Sequence, residues 1–158
     1  MSTHQHLDDL GMMRIESRIQ IYAPPELVWS VTIGIDGWPT WSPTVRAVHG
    51  LDGNPLTNGT RFRLSQPLQR ARLWQVTRLE PPVRAEWETV DAGPPFRAIH
   101  EATPEADGTL SFLGLVAKRP RGILSPAAAL ALRTALAVEN RALRRRCLRV
   151  SGNRRLAS

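Results

Sequence analysis

The sequence predicts an α+β fold: a curved antiparallel sheet of about seven strands that packs against one long C-terminal helix, with two short helices after the first strand. Three observations lead to this prediction. Apolar and polar residues alternate in short segments over residues 15–116, as in strands buried on one face. The links between these segments are short, which favours antiparallel pairing of consecutive strands. A final segment rich in Ala, Leu and Arg has the composition and length of a helix.

The first predicted elements are one strand and two short helices. The isoleucines of Ile15–Ile21 share one face of the strand, with polar residues on the other. Pro25 suits the first turn of the helix that follows, and we expect this helix to end near Gly34. The next segment, DGWPTWSP at 36–43, is limited by its prolines to a short helical stretch.

Six further strands are predicted, each bounded by residues that favour turns. The connections include Pro81–Pro82 and Glu105–Gly108, which are short enough for hairpins. The predicted strands are Val45–Leu51, Thr60–Ser65, Ala71–Glu80, Val83–Thr89, Phe96–Ala102 and Thr109–Val116.

The pairing of two of these strands tests the predicted sheet. If Glu80 pairs with Val83, then Val76 lies opposite Trp87. This register gives the strand pair one largely apolar face and one polar face, as a sheet with one solvated side requires. Arg78 is the exception on the apolar face. The side chains expected on the polar face are Gln75, Thr77, Glu86 and Glu88.

The final helix is expected to begin at Ser125–Pro126, where Ser is a favourable N-cap and Pro suits the first turn, and to run to about Arg149. We expect a single domain at 14–150 between flexible tails at 1–13 and 151–158, the second of them basic. The buried stripe of the helix is predicted at Leu132, Leu136, Leu143, Cys147 and Val150.

The positive charge of the chain is confined to its C-terminal segment. Residues 1–132 carry 13 Arg or Lys and 13 Asp or Glu, whereas residues 133–158 carry eight Arg and one Glu, which accounts for the formal net charge of +7. No aromatic residue follows Phe112, so the interleaved basic and aromatic residues of a nucleic-acid surface are missing and no nucleic-acid partner is expected. A solvated helix face and a surface for an acidic partner or an anionic membrane both remain open.

Compartment and membrane contact are predicted from composition. Cys147 is the single cysteine and cannot form an internal disulfide, so a reducing cytoplasm is the expected location. The N-terminal segment lacks the apolar stretch of a signal peptide. No apolar run has the length of a membrane span, so we expect no integral membrane contact.

Several short segments match, in order and spacing, those of one protein superfamily. They are APPELVW after the first strand, GWPTWSP, LDGxPLxxGTR at 51–61, LWQVTRLEPP at 73–82, Trp87, His100 before the Gly108–Thr109 hairpin, and Glu139 in the final helix. Together they resemble the START/Bet-v-1-like superfamily, in particular the bacterial polyketide cyclase/dehydrase branch known as SRPBCC proteins. The matching segments extend from Ile15 to about Arg149.

The resemblance implies a helix-grip architecture, in which the sheet wraps around the long helix and leaves a cavity between them. The two short helices would close one end of this cavity, with Trp38 and Trp41 as packing residues. We expect the cavity to bind an apolar small molecule, such as a lipid, a polyketide or another aromatic compound, with no cofactor. Segment 117–125 is a candidate for a mobile lip, which Leu124→Asp would probe. The expected ligand-binding residues are Trp74, Val76, Trp87, Ala98, His100, Phe62 and Phe112.

His100 is the candidate catalytic residue. It alternates with Phe96 and Ala98 and is therefore expected on the concave side of the sheet. A cavity histidine could act as acid and base in an aldol cyclisation or a dehydration, but no spacing places a second titratable group beside it. A cyclase therefore remains an alternative to a binding protein, and an adaptor that uses the Arg-rich helix is a third hypothesis. One arginine of Arg61, Arg63, Arg72 and Arg97 could enter the cavity.

Other chemistry has little support in the sequence. His4 and His6 lie near the N-terminus and His49 at a strand end, with no third ligand at a metal-binding spacing, so no metal is expected. The chain has no phosphate-binding loop and no glycine-rich dinucleotide motif. Cys147 has no visible base partner and is expected to be a small core residue.

Overall fold

The structure, a computed structural model, describes residues 12–50, 52–53, 55–118 and 125–156, with the backbone alone at 118 and 153–156. The strands are β1 (Met12–Ile21), β2 (Ala47–Gly50), β3 (Arg61–Ser65), β4 (Arg72–Glu80), β5 (Arg84–Thr89), β6 (Phe96–Glu105) and β7 (Gly108–Lys118). The helices are α1 (Pro25–Ile33), the single-turn α2 (Trp38–Trp41), which follows a 3₁₀ turn at Ile35–Gly37, and α3 (Pro126–Leu156).

The predicted α+β helix-grip fold is confirmed, with differences at its two ends. Helix α3 continues to Leu156, so residues 151–156, which were expected in a flexible tail, are helical. At its start, the Ser125 hydroxyl accepts a hydrogen bond of 3.2 Å from the Ala128 amide, which confirms the predicted N-cap. Strand β1 already begins at Met12, inside the segment predicted as a tail. Residues 1–11, and residues 119–124 of the predicted lip, lie outside the described part of the chain.

All seven strands form one antiparallel sheet in the order β1-β7-β6-β5-β4-β3-β2. Strands β2 to β7 follow one another as neighbours, and β1 closes the series by pairing with β7 from Met12 to Ile21. Helix α3 packs against β1, β7 and α1. The concave face of the sheet, α3 and the two short helices therefore enclose one interior. Within the described residues, no helix has both the length and the apolar composition to cross a membrane.

A buried asparagine holds α3 against the sheet. Asn140 is 0% exposed, and its side-chain amide donates to the backbone oxygen and the hydroxyl of Ser17 in β1, both at 3.2 Å. The Ser111 hydroxyl of β7 donates to the Asn140 carbonyl oxygen at 2.8 Å. A buried amide is costly unless its hydrogen bonds are made. The helix can therefore pack only with Asn140 over this junction of β1 and β7.

The two tryptophans of the DGWPTWSP segment have different surroundings. Trp38 is buried, its indole N–H donates to the Thr32 carbonyl at 3.0 Å, and its ring meets Phe62 edge-on at 6.0 Å between centroids. These contacts agree with the predicted packing role of Trp38. Trp41 is half-buried and packs against both hydrophobic clusters of the core. One of its sides is therefore left at the molecular surface.

The predicted register of β4 with β5 is right at one end and shifted at the other. Val76 pairs with Trp87 as expected, but a bulge between Val76 and Arg78 pairs Arg78 with Glu86. The extra residue moves Arg78 from the apolar face to the convex face, where its guanidinium lies 3.6 Å from the Glu86 carboxylate. Glu86 points outward as predicted, but it is buried beneath Arg78 and Arg84 rather than solvated.

Cys147 occupies the predicted buried stripe of α3. Its thiol is 0% exposed and unpaired, and burial raises its pKa to about 12. A thiol that stays protonated at neutral pH is a poor nucleophile and metal ligand. Cys147 is therefore a small core residue, as the sequence predicted.

Replacing Asn140 by Ala is expected to lower the free energy of unfolding by about 2–4 kcal/mol, because it removes the buried hydrogen bonds to β1 and β7 and leaves a cavity. Urea unfolding measures the change. Arg141→Ala is the control, since Arg141 is the next residue and is exposed, and we expect it to change stability by less than about 0.5 kcal/mol. Equal effects of the two substitutions would contradict the anchoring role of Asn140.

Candidate functional site

A cavity of about 120 Å³ lies between the concave face of the sheet and the first half of α3. Strands β3 to β7 supply one wall, and the helix supplies the other through Leu132, Ala135, Leu136 and Glu139. Its walls are mainly aromatic and aliphatic. The sheet, α2 and the segment after it contribute Trp38, Val45, Leu64, Trp74, Trp87, Phe96, Ala98, His100 and Leu115 to these walls.

The structure brings four of the predicted ligand-binding residues to this cavity. Trp74, Trp87, Ala98 and His100 all line it. They come together because Trp87 pairs with Ala98 across β5 and β6, and Trp74 lies on the same face of neighbouring β4. Alternate residues of paired strands share a face, so the concave side presents these side chains to α3.

Phe62 and Val76 lie beside this wall on the same concave face, in the core, and are not among the residues that line the cavity. The Phe62 ring meets Trp87 edge-on, with 6.0 Å between centroids, and Val76 is paired with Trp87. Both side chains therefore support the Trp87 indole. They would affect ligand binding indirectly, by holding the Trp87 ring in position.

The prediction that Phe112 lines the cavity is corrected by the structure. Ser111 of β7 faces Asn140 of α3, so the next side chain along the strand points to the convex face. There the guanidinium groups of Arg14 and Arg18 lie 5.6 and 5.2 Å from the centroid of the Phe112 ring. Phe112 is thus covered by two arginines of β1, in a cation–π arrangement on the outside of the sheet.

His100 lies deep in the cavity and stays neutral at physiological pH. Its imidazole faces the Trp87 indole at 4.6 Å between ring centroids, and its Nδ1 atom is buried with no hydrogen-bond partner in the described part of the chain. Burial lowers the pKa of His100 from 6.5 to about 3, because the charged form loses its hydration. A neutral imidazole offers one N–H donor and one acceptor nitrogen to a ligand.

Glu139 is a cavity residue that sequence reasoning did not assign to the site. Its carboxyl group lines the same cavity as His100, and the Thr44 hydroxyl donates to it at 3.4 Å. Burial raises the pKa of Glu139 from 4.5 to about 7, although the Thr44 hydrogen bond acts in the opposite direction. A signal was present in the sequence, since Glu139 is separated from Leu136 and Leu143 by three and four residues and so shares their buried face.

A third polar group completes the site. The indole N–H of Trp74 is buried and has no hydrogen-bond acceptor within the described residues. Trp74, His100 and Glu139 all line the cavity, and the unpaired Trp74 Nε1 and His100 Nδ1 atoms lie buried in its walls. Buried polar groups without partners are uncommon in proteins, and a bound molecule can supply the missing hydrogen bonds.

The mouth of the cavity is polar and is held by an ion pair. Gln66, Gln69 and Arg72 line it, and the Arg72 guanidinium contacts the Asp91 carboxylate at 2.7 Å. This hydrogen-bonded pairing lowers the pKa of Asp91 to about 2. Arg72 is thus the one candidate arginine that reaches the cavity, and its charge is already paired there. The other candidates are on the surface: Arg61 pairs with Asp52, Arg97 pairs with Glu88, and Arg63 is exposed.

Within the described residues, no three metal-binding side chains come together. His49 is exposed and lies in β2, the edge strand opposite β1. His4 and His6 are outside the described part of the chain.

Sequence comparison matches residues 12–148 to a family model described as polyketide cyclase / dehydrase and lipid transport. The match covers β1 to β7 and most of α3. No curated protein matches the sequence significantly.

Solved structures share the fold over nearly their whole length. TTHA0849 from Thermus thermophilus has a TM-score of 0.75 at 17% identity, over 87% of this chain and 99% of its own. A START superfamily protein from Mycobacterium smegmatis has a TM-score of 0.73 at 14% identity, over 87% and 98%. Ara h 8.0201 has a TM-score of 0.70 at 12% identity, over 87% and 99%. At these identities the similarity shows the fold alone.

Glu139→Gln is expected to stabilise the protein at pH 8 and to change little at pH 5. Because the pKa of Glu139 is raised to about 7 in the folded chain, folding opposes its ionisation, and stability falls as the pH rises from about 4.5 through 7. A glutamine cannot ionise and therefore removes this loss of stability. The loss is roughly 2 kcal/mol at pH 8, when partial solvent access of the Glu139 carboxyl is taken into account. Urea unfolding at the two pH values measures the difference.

The control for this prediction is Glu105→Gln, which removes the same charge at an exposed position. The lowered pKa of His100 reduces stability only as the pH falls below about 6.5, and it does so equally in wild type and variant. A gain from Glu139→Gln that is the same at pH 5 and pH 8 would contradict the assignment.

Proposed function

Because the chain belongs to the polyketide cyclase / dehydrase and lipid transport family, we propose that it binds an apolar small molecule in the cavity between the sheet and α3. The observation that carries the proposal is the pairing of aromatic walls with two buried nitrogens that lack partners, Trp74 Nε1 and His100 Nδ1. Apolar walls with a few convergent polar groups are typical of small-molecule sites. The aromatics supply contact area, and the polar atoms fix the orientation of the ligand.

The size of the cavity limits what it holds without rearrangement. A volume of about 120 Å³ is close to that of an engineered cavity of roughly 150 Å³ that binds benzene. One aromatic ring therefore fits between the sheet and α3. A lipid or polyketide of larger volume requires its remaining atoms to extend through the mouth beside Gln66 and Gln69, or α3 to move away from the sheet.

The polar groups favour a ligand with a carbonyl or similar acceptor on its ring. The indole N–H of Trp74 can only donate and has no acceptor within the described residues, so an acceptor on the ligand would satisfy it. His100 is neutral and can provide either a donor or an acceptor. The carboxyl of Glu139 is protonated in part near neutral pH, because its pKa is about 7, and it then also donates. An aryl ketone or aldehyde satisfies this set of donors.

An isosteric pair of probes tests both parts of this proposal. Acetophenone is expected to bind about fivefold more tightly than ethylbenzene, which has nearly the same shape but no acceptor, because one buried hydrogen bond contributes about 1 kcal/mol. Isothermal titration calorimetry measures both affinities. Binding should be nearly independent of salt, since apolar contacts dominate.

Two helix variants provide the matched comparison. Ala135 lines the cavity, whereas Ala131 lies one turn earlier on α3 and is exposed. Ala135→Trp should fill the cavity and abolish binding of both probes. Ala131→Trp should leave both affinities unchanged. Equal binding by the two variants, with both folded by circular dichroism, would show that the probes bind elsewhere and would refute the proposed site.

Acid–base catalysis is a second candidate function, supported by the presence of Glu139 in the same cavity as His100. A general base works best when its pKa lies near the working pH. The pKa of Glu139, about 7, meets this condition, whereas that of His100, about 3, does not. In such a reaction Glu139 removes a proton from the carbon next to a ligand carbonyl, and the Trp74 N–H or His100 stabilises the enolate oxygen.

Hydrogen–deuterium exchange at the methyl group of acetophenone tests this chemistry. A catalytic Glu139 predicts exchange above the buffer rate that rises through pH 7, as the carboxylate forms, and is lost in Glu139→Gln. Proton NMR in deuterium oxide follows the methyl signal. If acetophenone binds but the protein does not accelerate the exchange, the binding function stands and this reaction is excluded for the probe.

A further inference from the structure

A second cleft lies outside the ligand cavity, between α2 with the segment that follows it and the second half of α3. It has a volume of about 360 Å³, within the range of about 300–1,000 Å³ that small-molecule sites occupy. The two walls differ in charge, since one is uncharged and the other is basic. The residues that line the cleft are Pro39, Thr40, Trp41, Ser42, Pro43, Ala142, Arg145, Arg146 and Arg149.

The basic wall consists of three exposed arginines on α3. Arg145 and Arg149 are one turn apart, and Arg146 lies beside them, so all three side chains reach the same cleft. None of them has an ion pair or a hydrogen bond with another residue of the described chain. Two arginines of the sheet, Arg72 and Arg84, differ in this respect because they are paired with carboxylates.

The helix offers no internal counter-charge for this wall. Glu139 is the single acidic residue of the segment 126–156, and its carboxyl lines the internal cavity. The positive charge of the cleft is therefore uncompensated by the described part of α3. Three guanidinium groups around one concave space favour a ligand with at least two negative charges.

The opposite wall is uncharged and combines the rings of two prolines and a tryptophan with the hydroxyl groups of Thr40 and Ser42. Pro39 and Pro43 have no backbone N–H, and the Trp41 indole forms the surface between them. The Thr40 hydroxyl already donates to the Gly37 carbonyl at 2.7 Å. The guanidinium groups are the charged donors of the cleft, and such groups bind phosphate oxygens in bidentate geometry.

We propose that this cleft binds an organic phosphate, with the phosphate on Arg145, Arg146 and Arg149 and the organic part against Trp41. The site does not depend on the proposed ligand of the internal cavity. The cleft places the Trp41 indole and the three arginines around one concave space, which a small molecule can fill.

Phenyl phosphate is the probe, and two double variants separate this site from general attraction by positive charge. Arg145→Glu/Arg149→Glu changes two arginines of the cleft, and Arg133→Glu/Arg141→Glu makes the same charge change at exposed positions of α3 outside it. Isothermal titration calorimetry at constant ionic strength measures the affinities, and circular dichroism checks the folding of each variant.

The proposal predicts that the cleft variant loses at least about tenfold in affinity, because it removes charge-assisted hydrogen bonds, whereas the control variant changes by about twofold or less. It also predicts that phenyl phosphate binds more tightly than inorganic phosphate, and that Trp41→Leu reduces this preference. Equal losses in the two double variants, or no binding of phenyl phosphate by wild type, would overturn it.

Phosphatidylserine vesicles form the second arm of the experiment. A phosphate monoester site predicts that phenyl phosphate binds in solution and competes with any vesicle binding through the cleft. Vesicle sedimentation that is weakened equally by both double variants, in the absence of phenyl phosphate binding, would replace the proposal with a general anionic-surface interaction.

Discussion

The hydrogen bonds of Asn140 to β1 and β7 are the constraint on which the arrangement of the molecule depends. A helix that packs on a sheet through aliphatic side chains alone can slide and rotate at small cost, because apolar contacts are not directional. A buried amide has directional partners and fixes both degrees of freedom. The neighbouring residue, Glu139, is thereby set into the ligand cavity, and Arg145 and Arg149 are turned toward the outer cleft. One polar contact therefore determines what both faces of α3 present.

Most of the fold follows from the sequence because burial leaves a periodic signal. The pairing of Val76 with Trp87 was predicted, since a shift by one residue would move every apolar side chain of the strand to the solvent. The bulge that follows was not, although Val76 and Leu79 stand three residues apart, a spacing that a regular strand cannot place on one face. Helix α3 continues to Leu156, beyond its predicted end, through Ser151, Gly152 and Asn153, whose low helical propensity gave no sign of this extension.

The part of the site formed by the strands could be predicted from the sequence, whereas contacts between the sheet and α3 were harder to predict. His100 and Trp87 share a face by alternation alone, whereas the approach of Glu139 to His100 joins residues of β6 and α3 whose facing depends on the rotation of the helix. Phe112 was misplaced for a related reason. Strand β7 is apolar on both faces, so its composition does not reveal which face meets α3, and the arginines that cover Phe112 belong to β1.

The pairing of β1 with β7 also sets the order of events while the chain is being synthesised. Strands β2 to β7 are neighbours in sequence and can pair as they leave the ribosome, but β1 meets its partner only after residue 118 has emerged. The Ser17–Asn140 contact, 123 residues apart, forms later still. The apolar face of β1 therefore spends most of translation uncovered, which makes the first strand the segment that most needs protection from aggregation on the nascent chain.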